Sequence, residues 1–270
     1  MDFSDDDLLH FAAEGTPPLP ASGQHAYLSH AGARIWYATY GAGPAVVLLH
    51  GGLGHSGNWS YQVPALVAEG YRVVVIDSRG HGRSTRDEQP YSYDLMASDA
   101  EAVLDSLSID SAAFVGWSDG ACTALVLAAR APSRVRGVFY FACNMDPSGV
   151  RPFEPTPVVD RCFHRHTLDY AQLSPTPKAF QTLVDDLTKM QRTQPDFSAQ
   201  QLAAISVPVV IAQSEHDEFI HPDHAAYLAR TIPQAKLILL SGVSHFAPLQ
   251  RPAKFNEAVL SFLRRTTPPA

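Results

Sequence analysis

The fold is decided by the stretch Ala112-Ala113-Phe114-Val115-Gly116-Trp117-Ser118-Asp119-Gly120 and the helical segment that follows it. An apolar run leads into Gly-Trp-Ser-Asp-Gly, which fits the pattern G-x-S-x-G between a buried strand and a helix. A serine on so sharp a turn needs unusual backbone angles, and its neighbours must lack side chains that would collide. The pattern therefore predicts Ser118 as a nucleophile at a helix start, where free N–H groups favour developing negative charge.

Similar apolar runs recur on both sides of this stretch. Most are apolar on both faces and end in glycine or polar residues, which is typical of parallel strands buried between helices. Helical patterns alternate with them, so the sequence predicts an α/β fold with a mostly parallel sheet flanked by helices, whose chemistry lies at the carboxyl ends of the strands. The runs are 26–29, 33–39, 46–49, 73–76, 138–142, 207–212 and 236–240, and the helical patterns are 96–107, 121–131 and 253–264.

Two segments interrupt this alternation. Residues 146–204 are rich in proline, carry helical patterns and no strong strand, and are too long for a plain connection between strands. We expect them to form an inserted helical cap over the site. Residues 1–22 end in prolines and form an extension in which Leu8, Leu9, Phe11 and Ala12 fit one amphipathic turn. The core is then 23–145 together with 205–270.

A serine nucleophile needs a base, and position selects one among the twelve histidines. His245 follows the last predicted strand, which agrees with the order serine, acid, histidine. Asp217 lies just past the preceding strand, where it would hold the His245 ring in the right tautomer. Glu215 and Asp223 are the alternatives for the acid, and Asp217 is preferred because the turn after the strand places it nearest the end of the sheet.

The loop His50-Gly51-Gly52-Leu53-Gly54 follows an earlier strand and offers backbone without bulky side chains. Such a loop can direct an N–H group at a tetrahedral oxyanion. We expect Gly52 to supply one donor, with Leu53 as the alternative, and the N–H of Asp119 to supply the other. Asp119, Leu53 and Trp117 are also the candidate substrate contacts.

These motifs occur in one order that resembles the α/β-hydrolase superfamily over about residues 25 to 265. The resemblance implies the α/β-hydrolase fold, a triad of Ser118, Asp217 and His245, and structural roles for Arg79, His81 and Ser84. The motifs are His50-Gly51-Gly52, Asp77-Ser78-Arg79-Gly80-His81-Gly82-Arg83-Ser84, Gly116-Trp117-Ser118-Asp119-Gly120, Asp217 and His245.

The turn Gly116–Gly120 around Ser118, called the elbow below, also distinguishes subclasses of this superfamily. Dehalogenases and epoxide hydrolases of this fold carry aspartate at the position of Ser118, which disfavours them. Carbon–carbon bond hydrolases share His-Gly-Gly but usually carry asparagine before the serine and no acid after it, so Trp117 and Asp119 depart from their pattern. The elbow is more similar to that of valacyclovir hydrolase-like esterases, which implies that Asp119 attracts a substrate ammonium group. The alternative, that Asp119 only caps the helix, stays open.

The expected function is therefore cleavage of a small-molecule carboxylic ester through an acyl-enzyme, without a cofactor. The alternatives are a carbon–carbon bond hydrolase or lactonase of aromatic degradation, a cofactor-free perhydrolase, or a non-catalytic ligand-binding protein on the same fold. A metal site is not expected, because neither His221-Pro222-Asp223-His224 nor His164-Arg165-His166 repeats a known zinc spacing, and loop polarity accounts for both.

Composition narrows the partners. The chain has 20 basic and 27 acidic residues and a formal charge of −7, which disfavours nucleic acid and anionic lipid. No apolar run is long enough to cross a bilayer, and Asp2, Asp5, Asp6 and Asp7 stand where a secretory signal would carry basic residues. Three cysteines, Cys122, Cys143 and Cys162, form no CxxC pair and are expected to be reduced. We expect a cytoplasmic protein, and the sequence leaves its oligomeric state open.

Overall fold

The computed structural model describes residues 6–269, in which strands and helices alternate along most of the chain. None of the helices in this range is both long and apolar enough to cross a membrane. The strands are β1 (Gln24–His30), β2 (Ala33–Tyr40), β3 (Ala45–Leu49), β4 (Arg72–Ile76), β5 (Ala112–Trp117), β6 (Val135–Phe141), β7 (Val209–His216) and β8 (Ala235–Ser244). The helices are α1 (Asp6–Glu14), α2 (Gln62–Ala68), α3 (Tyr93–Ser106), α4 (Asp119–Arg130), α5 (Pro157–Leu173), α6 (Phe180–Gln191), α7 (Ala199–Ala203), α8 (Pro222–Thr231), α9 (Ala247–Gln250) and α10 (Pro252–Thr266).

Within the described residues the strands form one eight-stranded sheet in the order β1-β2-β4-β3-β5-β6-β7-β8. Strands β1 and β2 pair antiparallel, as do β2 and β4, and every other pair is parallel. All residues of β3 and β5 are buried, because apolar layers cover both faces of the sheet. The predicted mostly parallel sheet between helices is confirmed.

The register of the parallel strands brings the candidate residues to one edge of the sheet. Leu49 at the end of β3 pairs with Gly116 of β5, and Trp117 pairs with Phe141 at the end of β6. The N–H of Ser118 donates to the carbonyl of Phe141 at 2.9 Å. The loops that follow these strands therefore meet beside Ser118, as expected at the carboxyl ends of parallel strands.

The segment between β6 and β7 is helical, and it contains α5, α6 and α7. Helix α1 packs against α5 and contains the predicted amphipathic turn, with Leu8 and Phe11 buried. The N-terminal extension is thus in contact with the inserted helices. Met1 to Asp5, which include two of the aspartates weighed against a secretory signal, lie outside the described residues.

The structure adds helices that the sequence patterns did not predict, among them α2 and α8. Helix α8 begins at Pro222, so the interpretation of His221-Pro222-Asp223-His224 as a polar loop is wrong. Proline favours the first helical position, since its missing N–H would have no acceptor there. His164-Arg165-His166 likewise lies within α5 rather than in a loop. Over residues 6–269 no group of three or more His, Cys, Asp or Glu is arranged to hold a metal ion.

A disulfide joins Cys122, in the first turns of α4, to Cys143, which follows β6. The expectation that all three cysteines are reduced is therefore wrong for this pair. The two residues are 21 positions apart, and the sharp turn after β5 brings α4 back against the end of β6. Sequence spacing alone carries no sign of that contact. Cys162 is free and buried in α5.

Candidate active site

Ser118 occupies a strained turn between β5 and α4. Its backbone angles are φ 52° and ψ −124°, which a residue with a side chain rarely adopts. Glycine is needed on both sides, since a Cβ on Gly116 would lie 2.4 Å from the Cα of Ala121, and a Cβ on Gly120 would lie 2.1 Å from the carbonyl oxygen of Leu49. The N–H groups of Ala121 and Cys122 donate to the Ser118 carbonyl and hold the turn closed.

His245 and Asp217 form a buried pair on the loops after β8 and β7. The Nδ1 atom of His245 lies 3.1 Å and 3.2 Å from the two carboxylate oxygens of Asp217. Oδ1 of Asp217 also accepts the N–H groups of Phe219 and Ile220, each at 2.9 Å. Because an ionised carboxylate can only accept, Nδ1 of His245 carries the proton and Nε2 is left with a lone pair. The pair thus has the geometry of a general base held by an orienting acid.

The two alternatives for the acid lie elsewhere. The Glu215 carboxylate accepts the N–H of Gly242 at 2.8 Å, and Asp223 is exposed in the first turn of α8. Sequence reasoning did not identify Glu218, whose Oε2 accepts the backbone N–H of His245 at 2.9 Å. The sequence could have indicated Glu218 through its position one residue after Asp217.

The charges around His245 raise its pKa above the ordinary value. Burial by itself lowers this pKa, but the charge and hydrogen bond of Asp217 outweigh it, and the charges of Glu218 and Asp119 add to the effect. His245 is therefore prepared to accept a proton more readily than a free imidazole would.

The Ser118 hydroxyl is half-buried and has no hydrogen bond to another residue in the described range. The ring of Trp117 lies 6.1 Å from the ring of His245, so the nucleophile turn and the histidine loop are in contact. Hydrogen bonds between a nucleophile and its base are often long in unliganded sites and shorten when substrate is bound.

The glycine loop after β3 passes directly against the nucleophile. A Cβ on Gly51 would lie 3.1 Å from the Cβ of Ser118, and the N–H of Gly54 closes the turn on the Gly51 carbonyl at 3.1 Å. No described residue accepts the N–H of Gly52, Leu53 or Asp119. These free donors are available for an oxyanion beside Ser118, and their assignment to that role stays a prediction.

His50 holds this loop in place as a neutral residue. Its Nε2 accepts the N–H of Ser78 at 3.0 Å, so the proton is on Nδ1, which donates to the carbonyl of Gly51 at 2.7 Å. Burial, followed by the nearby His81, lowers the pKa of His50 to about 3. His50 is thus a fixed support for the loop rather than a second base.

The Asp77 to Ser84 stretch has the structural role that the resemblance implied. The Asp77 carboxylate accepts the N–H groups of Ser56 and Arg83 at 2.7 Å and 2.8 Å. Arg79 is buried and makes a two-pronged ion pair with Asp99 at 2.8 Å and 2.7 Å. These contacts join the loop after β4 to the loop after β3 and to helix α3.

Asp119 is buried immediately after the nucleophile, with 5% of its surface exposed. Oδ1 accepts the Tyr93 hydroxyl at 2.7 Å, and the Gln191 amide donates to both oxygens at 3.1 Å and 3.0 Å. Oδ2 also faces Gly52, where a Cβ would lie 2.6 Å from it. The carboxylate therefore lies between the glycine loop, helix α3 and the inserted helix α6. The separation of Gln191 from Asp119 by 72 residues explains why the sequence did not reveal it.

The other two candidate substrate contacts differ in accessibility. Trp117 is almost fully buried, and its ring contacts Trp59, His245 and Phe246. Leu53 is half-buried on the glycine loop and has a positive φ of 65°. A substrate contact remains a prediction for both residues.

A second contact joins the inserted helices to the glycine loop. His55 accepts the N–H of Gly57 on Nδ1 at 3.1 Å, so Nε2 carries the proton and donates to Asp169 of α5 at 3.4 Å. Nε of Arg165 donates to the same carboxylate at 2.8 Å. Burial alone would raise the pKa of Asp169, but the bonds from His55 and Arg165 lower it to about 2.

Comparison with known proteins agrees with the fold described above. The family model for the alpha/beta hydrolase fold matches residues 44–155. A 2-hydroxy-6-oxononadienedioate/2-hydroxy-6-oxononatrienedioate hydrolase of Pseudomonas putida is 29% identical over 86% of this chain and 92% of its own length. An sn-1-specific diacylglycerol lipase of Mus musculus is 27% identical over 82% of this chain and 81% of its own length. The structure of a meta-cleavage product hydrolase from Pseudomonas fluorescens superposes with a TM-score of 0.76 at 22% identity, covering 89% of this chain and 97% of the other.

The chain has the α/β-hydrolase fold, and residues 44–155 match the family model for it. Over most of its length it is similar to hydrolases. According to their names these relatives act on different bonds, so the comparisons leave the scissile bond open.

Proposed function

We propose that this protein hydrolyses small-molecule carboxylic esters through a covalent acyl-enzyme on Ser118. The observation that carries the proposal is the buried pair of His245 and Asp217 on loops adjacent to a strained serine turn with free N–H groups beside it. That arrangement provides a nucleophile, a base and oxyanion donors, which acyl transfer requires.

The proposed reaction uses these groups in a fixed order. Nε2 of His245 removes the Ser118 proton while Oγ attacks the ester carbonyl, and the resulting oxyanion is stabilised by the N–H groups of Asp119 and Gly52. His245 then donates the proton to the alkoxy oxygen, so the alcohol departs and the acyl group stays on Ser118. Water attacks this ester with the same base, and the acid product leaves.

A fluorophosphonate probe together with a series of simple esters tests the proposal. We expect the wild type to be labelled and active, Ser118→Ala to be neither, and folded His245→Ala and Asp217→Asn to lose activity by roughly 10³-fold or more. Circular dichroism would verify that each variant is folded. Near-normal turnover by folded Asp217→Asn would contradict the role of Asp217 as the orienting acid. Turnover of a 2-hydroxy-6-oxo dienoate but of no ester would instead favour carbon–carbon cleavage.

We also propose that the ester carries an amine on its acyl side, bound by Asp119. In support, the Asp119 carboxylate is buried and has no ion pair within residues 6–269. Its Oδ2 atom faces Gly52 of the glycine loop. A buried anion with neutral partners gains more from a cation than an exposed one does. The Gln191 amide now donates to both oxygens, so an ammonium group would join or displace it.

The test is a matched pair of esters, an α-amino acid ester and its des-amino isostere. We expect the wild type to prefer the amine by about tenfold to a hundredfold in kcat/KM, and Asp119→Asn to lose that preference while it still hydrolyses the isostere. Asn at this position keeps one acceptor oxygen for Tyr93, removes the charge and replaces the second oxygen with an amide donor. Equal rates of the wild type on both esters would contradict the proposal and leave Asp119 as a structural acceptor for Tyr93 and Gln191.

A further inference from the structure

Beside His245 three aromatic side chains, Phe153, Phe163 and Phe219, form a group that we call the phenylalanine cluster. Their ring centroids lie 6.3 to 6.4 Å apart with nearly parallel planes. The ring of Phe219 meets the ring of His245 edge-on at 4.7 Å. Phe153 is 60% exposed, whereas Phe163 and Phe219 are half-buried. The cluster therefore forms an apolar surface that runs from solvent to the catalytic histidine.

Main-chain bonds hold the cluster together. The N–H of Arg151 donates to the carbonyl of Phe219 at 2.7 Å, and Val150 and Ile220 form an antiparallel bridge. The Arg151 guanidinium also donates to the carbonyl of Asp217 at 2.6 Å. The segment that carries Phe153 is thus fixed to the loop that carries the catalytic acid. An exposed phenylalanine that is anchored in this way indicates a binding surface more than a loose loop.

The chemistry of the proposed reaction decides which part of the substrate meets the cluster. His245 must donate its proton to the alkoxy oxygen, so that oxygen comes within hydrogen-bond reach of the ring. The group attached to the oxygen then extends past the neighbours of His245, and Phe219 is in direct contact with that ring. The acyl group lies on the other side, toward Gly52 and Asp119. We infer that the phenylalanine cluster is the leaving-group subsite and that it selects esters of apolar, preferably aromatic, alcohols.

This inference rests on the proposed esterase function, and the acyl-enzyme mechanism provides a test that separates the two. Esters of one acid with ethanol, 2-cyclohexylethanol and 2-phenylethanol share a single acyl-enzyme and have alcohols of similar acidity. The leaving group influences kcat/KM, which reports acylation, but it has departed before deacylation. A subsite for the alcohol therefore affects the first step and not the second.

We expect the wild type to prefer the 2-phenylethyl ester over the ethyl ester by about tenfold or more in kcat/KM, with the cyclohexyl compound between them. Phe153→Ala and Phe163→Ala should reduce that preference several-fold and leave the rate of deacylation unchanged. The control is Leu239→Ala on β8, because Leu239 is also 60% exposed and should leave the preference intact.

Three results from the phenylalanine variants would overturn the inference. The first is that the preference among alcohols survives both phenylalanine substitutions. The second is that the substitutions change kcat/KM only in a parallel series of ethyl esters with longer acyl chains. The third is that they change the rate of deacylation as much as that of acylation. The second result would assign the cluster to the acyl group. If no ester is hydrolysed and Ser118 is not labelled, the proposed function itself fails. Ser118-dependent turnover without any preference among alcohols overturns the subsite alone.

Discussion

At the scale of single residues, Glu218 adds to the negative charge that Asp217 places around His245. Its carboxylate accepts the backbone N–H of His245, and its charge is one of those that raise the pKa of the His245 ring. Burial raises the pKa of Glu218 itself, while the hydrogen bond from His245 opposes that effect. Two carboxylates, Asp217 and Glu218, therefore stabilise the imidazolium from adjacent positions in the chain.

The pH dependence of activity follows with a definite sign. The base must be neutral, so kcat/KM should fall as the pH drops through a pKa above the ordinary histidine value of about 6.5. Glu218→Gln removes one of the charges that raise this pKa, and we expect the inflection to move to lower pH. Measurement of kcat/KM for a neutral ester against pH would check the shift.

A neighbouring carboxylate offers the control for this prediction. Glu215 bonds to Gly242 and not to His245, so Glu215→Gln should leave the inflection in place. An equal displacement in both variants would mean that overall charge, rather than the contact of Glu218 with His245, sets the pKa.

At the scale of elements, the contacts between α5 and the glycine loop add stability that depends on pH. The pKa of Asp169 is lowered to about 2 in the folded protein. A carboxyl whose pKa falls on folding stabilises the protein above its unfolded pKa of about 4, and this contribution is lost as the pH falls through about 2. The bond from His55 and the ion pair with Arg165 are therefore fully effective at neutral pH.

Substitution of Asp169 by asparagine should remove this contribution. We expect Asp169→Asn to lower the free energy of unfolding by roughly 1–2 kcal/mol at neutral pH, since the group is partly screened, and by progressively less between about pH 4 and about pH 2. Urea denaturation over that range measures the difference. Asp160→Asn, on the exposed side of the same helix, should change little. A loss at Asp169 that is independent of pH would contradict the assignment.

The elements also show what a sequence can reveal about such a molecule. Strands such as β3 and β5 were predictable because both faces are buried and the apolar run is continuous. Helix α8 was missed because its first turn is polar and begins with Pro222. The contacts of the inserted segment were beyond sequence reasoning, since His55 and Asp169 are 114 residues apart and only packing brings them together.

The residues of the candidate site also fall into those that the sequence could identify and those that it could not. Ser118, Asp217 and His245 could be selected from their positions at strand ends, and the structure places Asp217 and His245 in hydrogen-bond contact. Gln191 could not, because nothing in the local sequence distinguishes it from an ordinary helix residue. Local pattern identifies the groups that react, and tertiary packing identifies the groups that surround them.

At the scale of the whole molecule, the disulfide between Cys122 and Cys143 changes the expected redox chemistry. Disulfides are uncommon in cytoplasmic proteins, so this bond removes the thiol-based argument for that compartment. It connects the helix that follows the nucleophile to the end of the adjacent strand. Closure of such a loop generally stabilises a protein by about 2–4 kcal/mol.

Counting thiols provides a direct check. In denaturant without a reductant we expect one reactive thiol per chain, Cys162, and after reduction all three cysteines. Reduction should also lower the melting temperature, whereas Cys162→Ala should remove the single thiol and leave the effect of reduction unchanged. Three thiols before reduction would show that the bond does not form in solution.

The position of the inserted segment has a consequence for how such enzymes diversify. The chain leaves the sheet after β6 and returns at β7, and these strands are adjacent and parallel. A replacement segment of another length could therefore join the same two ends without disturbing the pairing of β1 to β8. Phe153, Phe163 and Gln191 would be exchanged together, while Ser118 and His245 would stay. Recombination of one stretch of the gene could therefore give an enzyme a new substrate while its reaction stays the same.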